Sequence, residues 1–263
     1  MSYPLLRRSV TITTANQAIR LNEGGVAYTA LVTPGVYWVR NSGANSLNLA
    51  VVAAIEAVTP ANTYTLLTVA SIDPTLPNAV TTLTRATGAA TFSIDAATPL
   101  TTFPMHALGF AVATALDSTP KVSTKSASGL WVSNDMLTVD EPDETGEVFG
   151  DLPTRGGVVI AGSQSDQWEG YRWAVAFVAR SRTWTESNTT DPNATWQAFW
   201  RHVRAGAVLE LTRLHPVTRA ETALAGQWVA DKATRTNVGP VRRSAGAAIY
   251  SWPLVFQKWV VPS

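Results

Sequence analysis

The sequence predicts an α+β protein that is mostly β, arranged as two similar modules, each a β-sandwich or barrel-like sheet with one packed helix. Three observations carry this. Runs of β-branched and aromatic residues, punctuated by Gly, Pro and Asn, fill most of both halves. One stretch in each half switches from strand alternation to helical spacing. Hydrophobic residues make up 46% of the 263, enough to fill a substantial core.

The first module spans residues 1–115. Residues 11–21 and 28–40 read as strands joined by a turn at Glu23, Gly24 and Gly25. Ser46 is placed to cap a helix over 46–58, whose apolar positions Leu47, Val51, Ala54, Ile55 and Val58 share a face. Pro60 stops it. Strands are expected again at 63–70, 80–85 and 89–95, the last two as a hairpin turning at Thr87 and Gly88. Leu108, Gly109 and Phe110 then supply apolar groups able to close a core.

Residues 116–157 read as a linker with an acidic tip and one short strand at 130–132. The second module, 158–263, repeats the order of elements. Residues 170–180 alternate as a strand, with Tyr171, Trp173, Val175 and Phe177 on one face. A helix over 193–205 is expected to open at Asp191 and Pro192 and to carry the stripe Trp196, Phe199, Trp200 and Val203. Gly206 ends it, and strands follow at 208–214, 227–231 and 247–261. Pro253 implies that the last one bends or lies at an edge.

Charge and composition narrow the function classes. The net charge of +1 gives no global attraction to nucleic acid or to an anionic membrane. Charged residues are only 15% of the chain, well below the roughly 25% of an average domain, which suits faces covered by copies of the chain or by partners. The charge is segregated. Residues 1–151 hold 7 Lys/Arg and 12 Asp/Glu, a balance of −5, and residues 152–263 hold 13 and 7, a balance of +6. Oppositely charged halves of neighbouring subunits are therefore able to attract one another. With Cys 0, disulfides and thiolate chemistry are excluded. No apolar run has the length of a membrane helix, and the segment from Met1 to Arg8 lacks the apolar core of a signal peptide.

Motifs for catalysis are absent. His106, His202 and His215 have no mutual metal-ligand spacing, and there is no nucleophile elbow or phosphate-binding loop. The acidic run Asp140, Glu141, Asp143, Glu144 and Glu147 does not fit a Ca²⁺ loop, because Pro142 stands where a ligand is needed. The strongest signal is aromatic. There are 10 Trp residues, all but Trp38 at position 131 or beyond. Trp173, Trp196 and Trp200 have core spacing, whereas Trp252 and Trp259 are candidates for an interface. The expected contact residues are Asp140, Glu141, Asp143, Glu144 and Glu147 on the acidic tip, with Arg242, Arg243, Trp252 and Trp259 in the second module.

The segment WQAFWRHVRAGAVLEL at 196–211 resembles a pattern in tail structural proteins of tailed bacteriophages, where a short aromatic helix leads through Gly into a strand. The segment IYSWPLVF at 249–256 resembles the closing sheet strand of such modules. The small-residue helix, the Tyr64 strand, the Gly88 hairpin and the Leu108, Gly109, Phe110 ending of the first half share that texture. The resemblance implies a structural subunit of the tail tube, terminator or distal tail, with a helix against a β-sandwich or barrel. It implies assembly into rings or tubes with copies of itself and with other virion proteins, localisation in the virion after assembly in the host cytoplasm, and no cofactor, catalytic residue, nucleic-acid specificity or membrane insertion. Alternative readings are a capsid decoration or head–tail connector protein, a carbohydrate- or receptor-binding module using exposed Trp, and a hydrolase with dispersed residues.

Overall fold

The computed structural model describes residues 3–60, 62–72, 77–86, 91–96, 102–132, 151–153, 159–161, 172–179, 195–224, 226–230, 241–242 and 250–259. It is α+β and mostly β, with curled antiparallel sheets and few helices.

The organising element is the first strand, β1 (Tyr3–Ile12). Its first part, Tyr3 to Arg8, runs antiparallel to β13 (Leu209–Leu214), with Leu6 opposite Leu211. Its other edge pairs first with β9 (Leu130–Val132) and then, from Ser9 to Ile12, with β4 (Gly35–Trp38). Beyond β13 the sheet continues through β15 (Gln227–Ala230) and β17 (Tyr250–Trp259) to β12 (Arg172–Ala179). Successive side chains of a strand point to opposite faces, so this sheet divides two cores. Leu5, Leu130, Val132 and Leu214 pack into the first cluster. Leu6, Trp131, Leu209 and Leu211 pack into the second. Leu5 and Leu6 are both 0% exposed, one in each core.

The first core is completed by two three-stranded sheets and a helix. One sheet has the order β3–β2–β7, formed by β2 (Ala18–Glu23), β3 (Val26–Leu31) and β7 (Phe92–Ile94). Its hairpin turns at Gly24 and Gly25, whose φ of 58° and 88° suit the left-handed region that two-residue hairpins require. The other sheet has the order β5–β6–β8, formed by β5 (Tyr64–Ala70), β6 (Ala79–Arg85) and β8 (Lys121–Val122). Helix α1 (Leu47–Val58) begins where expected, with the Ser46 hydroxyl accepting from the Leu49 N–H, and buries Leu47, Asn48, Val51, Ala54 and Ile55. A short helix, α2 (Phe103–Ala107), leads to Leu108 and Phe110, both buried in the same core. Between them Gly109 has φ +90°, and a Cβ there would meet the Lys125 carbonyl oxygen at 2.2 Å, so no other residue fits.

The second core is covered by α3 (Trp196–Arg204), which buries Phe199, Trp200 and Val203 against Leu6, Trp131 and Trp228. The Trp131 and Phe199 rings meet edge to face at 5.6 Å. The remaining short strands are β10 (Asp151–Pro153) with β11 (Val159–Ala161), β14 (Glu221–Ala223) on β13, and β16 (Val241–Arg242) on β17.

The structure departs from the sequence expectations in five places. Residues 11–21 and 28–40 are not single strands: the first is split at 13–17, between β1 and β2, and the second at 32–34, between β3 and β4. Strands β6 and β7 do not form a hairpin: β6 pairs β5 and β8, while β7 pairs β2. Residues 121–129, expected in a linker, run through the fold, with Lys121, Ser123 and Ala127 buried, while the strand expected at 130–132 forms as β9 and places Trp131 in the second core. Helix α3 begins at Trp196, capped by the Thr195 hydroxyl accepting from the Ala198 N–H at 3.1 Å. Asp191 and Pro192 lie outside the described residues. Finally, β17 is an interior strand. On one side it pairs β12; on the other, β16 covers Tyr250 and Ser251 and β15 covers Phe256 to Trp259. Pro253 falls between those last two partners and stands opposite Ala176 of β12.

Candidate functional site

Three features of the fold bear on function: a charged seam where the two cores meet, the edges of the two small sheets, and an open cleft beside one of those edges.

The seam follows from two adjacent arginines on β1. Arg7 points to the same side as Leu5. Its guanidinium, almost wholly buried, donates to the Val39 carbonyl at 2.9 Å, to Thr212 Oγ1 at 2.9 Å and to Glu221 Oε2 at 2.5 Å. Glu210, opposite Arg7 in the ladder, pairs with Arg40 at 3.0 Å. Burial pushes the Glu210 carboxyl up, while the Arg40 and Arg7 charges pull it back down. Two cations, Arg7 on β1 and Arg40 just after β4, thus face two anions, Glu210 on β13 and Glu221 on β14. Arg8 points the other way, toward α3, where its Nη1 lies 3.0 Å from Nδ1 of His202. The His202 ring also packs 5.4 Å from the Trp131 ring. These contacts tie β1 and β9 to the C-terminal elements, a role that the sequence does not advertise.

The edges of the small sheets are treated unequally. On β5, residues 64, 66 and 68 turn their backbone groups away from β6, and side chains from the α1 region meet them. The Tyr64 N–H donates to Glu56 Oε1 at 2.8 Å, and the Leu66 carbonyl accepts from Asn48 Nδ2 at 3.3 Å. Asn41 takes both groups of Thr68, accepting from its N–H at 2.8 Å and donating to its carbonyl at 2.9 Å. The outer edge of β7 is likewise closed, by the Asp117 carbonyl on the Phe92 N–H and by Thr114 on both groups of Ile94. The outer edge of β3 has no such cover. The Val32 N–H to Gln17 carbonyl bond and the register sum place 26, 28 and 30 toward β2, so Ala27, Thr29 and Leu31 direct their N–H and C=O groups outward. No described residue bonds to those groups, and Val26 and Leu31 are 54% and 57% exposed.

Beside that edge lies an open cleft of about 510 Å³, lined by Arg20, Asn22, Tyr28, Thr29, Ser93 and Asp95 among others. Its lining is mixed, with these polar side chains beside Leu21, Ala27 and the Tyr28 ring.

Among the described residues no group of three His, Asp or Glu side chains is placed to hold a metal ion. His106 and His215 lie apart from His202. Nδ1 of His215 accepts from the Val217 and Thr218 N–H groups and orders its own turn. The residues expected at contacts are dispersed. Asp140, Glu141, Asp143, Glu144, Glu147 and Arg243 lie outside the described residues. Arg242 stands in β16 opposite Tyr250. Trp252 stands in β17 opposite Phe177 of β12, and Trp259 opposite Gln227 of β15. Among the core tryptophans of the expectation, Trp200 is buried in the second cluster, joined by Trp131 and Trp228. The side chains of Trp173 and Trp196 lie outside what is described. No helix among the described residues is long and apolar enough to cross a membrane.

The class these features define is a β-rich protein whose two cores share one sheet. No protein-family model, curated protein or solved structure matches the chain.

Proposed function

We propose that the chain is a structural subunit of a tailed-bacteriophage tail, assembling with copies of itself into a ring or tube as a tail tube, terminator or distal-tail component. The observation that supports this reading is the segment 196–211. It folds as an aromatic helix, α3, that ends at Gly206 and passes into β13, the strand on which β1 and β15 build the shared sheet. That is the arrangement implied by the resemblance to tail proteins. The low charge of the chain is in keeping with faces covered by neighbouring subunits. Mass spectrometry of purified virions, with copy number, tests the reading together with negative-stain microscopy of the concentrated protein. A multiple-copy virion component that forms rings or tubes supports it. Absence from virions overturns it.

A second reading, a carbohydrate- or receptor-binding module, draws on the open cleft with Tyr28, Arg20 and Asp95. A glycan array read with the wild-type chain and with Tyr28→Ala tests it. Binding lost in the variant supports the module, and no binding by either protein removes it.

A further inference from the structure

We infer that the bare edge of β3 is a strand-addition surface, and that its occupant is β3 of a second copy of this chain, paired antiparallel about Thr29. The inference rests on the reading of the chain as a self-assembling subunit, and it names the surface.

Unpaired strand edges recruit further strands, and folded proteins suppress this with charges, Pro, bulges or covering groups. Here the suppression is selective. β5 is covered by Glu56, Asn48 and Asn41, and β7 by Thr114 and Asp117, whereas β3 carries no charge, no Pro and no covering group among the described residues. The sequence VAYTAL is self-complementary about Thr29. With Thr29 opposite its copy, Ala27 lies opposite Leu31, and all three are residues whose backbone groups point outward. Each then gives and accepts a ladder bond, so no polar group at the seam is left unmatched. The exposed Leu31 side chain would meet Ala27 of the copy, and Thr29 would meet Thr29, a pairing that strands favour.

Charge is compatible with this partner. Arg20 is opposite Thr29 within the hairpin, and the Asp95 N–H bonds to the Arg20 carbonyl on the far side. Across the two-fold the nearest like charges, Arg20 and its copy, would be three strand spacings apart, roughly 14 Å, which is beyond a Debye length at physiological salt.

The experiment uses the full chain. Sedimentation across a concentration series reads the association, and hydrogen exchange reads individual amides. We expect concentration-dependent dimers in which the Ala27, Thr29 and Leu31 amides gain protection, while those of Val26, Tyr28 and Ala30 are protected throughout. Thr29→Pro removes an outward N–H without touching the β2 ladder, and should weaken dimerisation by roughly tenfold or more. Thr29→Lys, which keeps the N–H and adds a charge, should do the same, so a Pro variant that misfolds leaves the question decidable. Dimers of either folded variant as tight as wild type, or outward amides that exchange equally fast at all concentrations, overturn the inference. A wild-type chain that stays monomeric also overturns it. Larger assemblies that form unchanged in Thr29→Lys would overturn the edge pairing and leave the tail-subunit reading standing. Dimers through β3 in a protein absent from virions would do the reverse.

Discussion

Arg8 donates from Nη1 to Nδ1 of His202 at 3.0 Å, joining strand β1 to helix α3. Arginine has no acceptor, so Nδ1 must carry the lone pair and the imidazole must be neutral. Burial, with Arg8 and Arg201 nearby, depresses the His202 pKa from 6.5 to about 4. In the unfolded chain the ring takes up a proton near pH 6.5, so between 6.5 and 4 the unfolded state binds more protons than the folded one. The contribution is therefore complete above pH 6.5 and is lost as pH falls toward 4. The whole shift corresponds to about 3 kcal/mol, which solvent screening at this half-buried site reduces to roughly 1–2 kcal/mol. His202→Gln keeps an acceptor for Arg8 and cannot titrate. Urea unfolding at pH 7.5 and 4.5 should show the wild type losing more stability than the variant, by that amount. Equal losses would mean that His202 is not the titrating group.

Arg7 is the buried half of a pair with the partly exposed Glu221. Breaking a buried pair by removing one partner costs about 3–5 kcal/mol. Arg7→Leu should reach the lower end, because it also leaves the Val39 carbonyl and Thr212 hydroxyl without their donor. Glu221→Gln keeps a neutral acceptor but leaves the buried guanidinium short of one anion, with Glu210 still beside it, and should cost less, about 1–2 kcal/mol. Thermal unfolding of the two variants checks the asymmetry, and equal costs would show that the seam is not what stabilises the join.

The second core depends on two rings that are distant in sequence, Trp131 from β9 and Trp200 from α3. Replacing either with Ala removes a large buried aromatic, so each change should cost about 3–5 kcal/mol. Because both rings lie in one cluster, the double variant should deviate from additivity. A stable Trp200→Ala protein that had lost only self-association would instead make Trp200 a contact residue.

What could be read from the sequence was local. The Ser46 cap and the stripe from Leu47 to Val58 needed only neighbours within a turn, and the Gly24, Gly25 hairpin needed only a turn signal. The β1 strand gave no such signal. Leu5-Leu6-Arg7-Arg8 breaks the apolar–polar alternation of a half-buried strand, because both faces of β1 are buried. The Thr87, Gly88 turn signal was outweighed by pairings of β6 and β7 with strands elsewhere in the chain. Asn41 and Asn48 look like ordinary polar residues, since their partners on β5 lie well along the chain. The bare edge of β3 shows up only once the covered edges are known.

That covering leads to a last prediction, on β5. Asn48 is fully buried on α1 and donates to Asn41 Oδ1, the Leu66 carbonyl and Thr68 Oγ1, while Asn41 satisfies both backbone groups of Thr68. Asn41→Ala leaves an N–H and a C=O on the strand edge without partners and should cost about 1–3 kcal/mol. Water can reach an edge that has lost its cover, so the cost should sit toward the low end if the gap hydrates. The same loss exposes a strand whose outward side chains include Leu67 and Val69, each about half exposed. Asn41→Ala should therefore self-associate or aggregate more readily than wild type, through an edge that the native chain keeps closed. Light scattering during a slow temperature ramp, set beside urea unfolding, separates the two effects. Lower stability with unchanged scattering at matched distance from the midpoint would show that Asn41 only satisfies hydrogen bonds. Faster association at a temperature where both proteins remain folded would show that it also guards the edge.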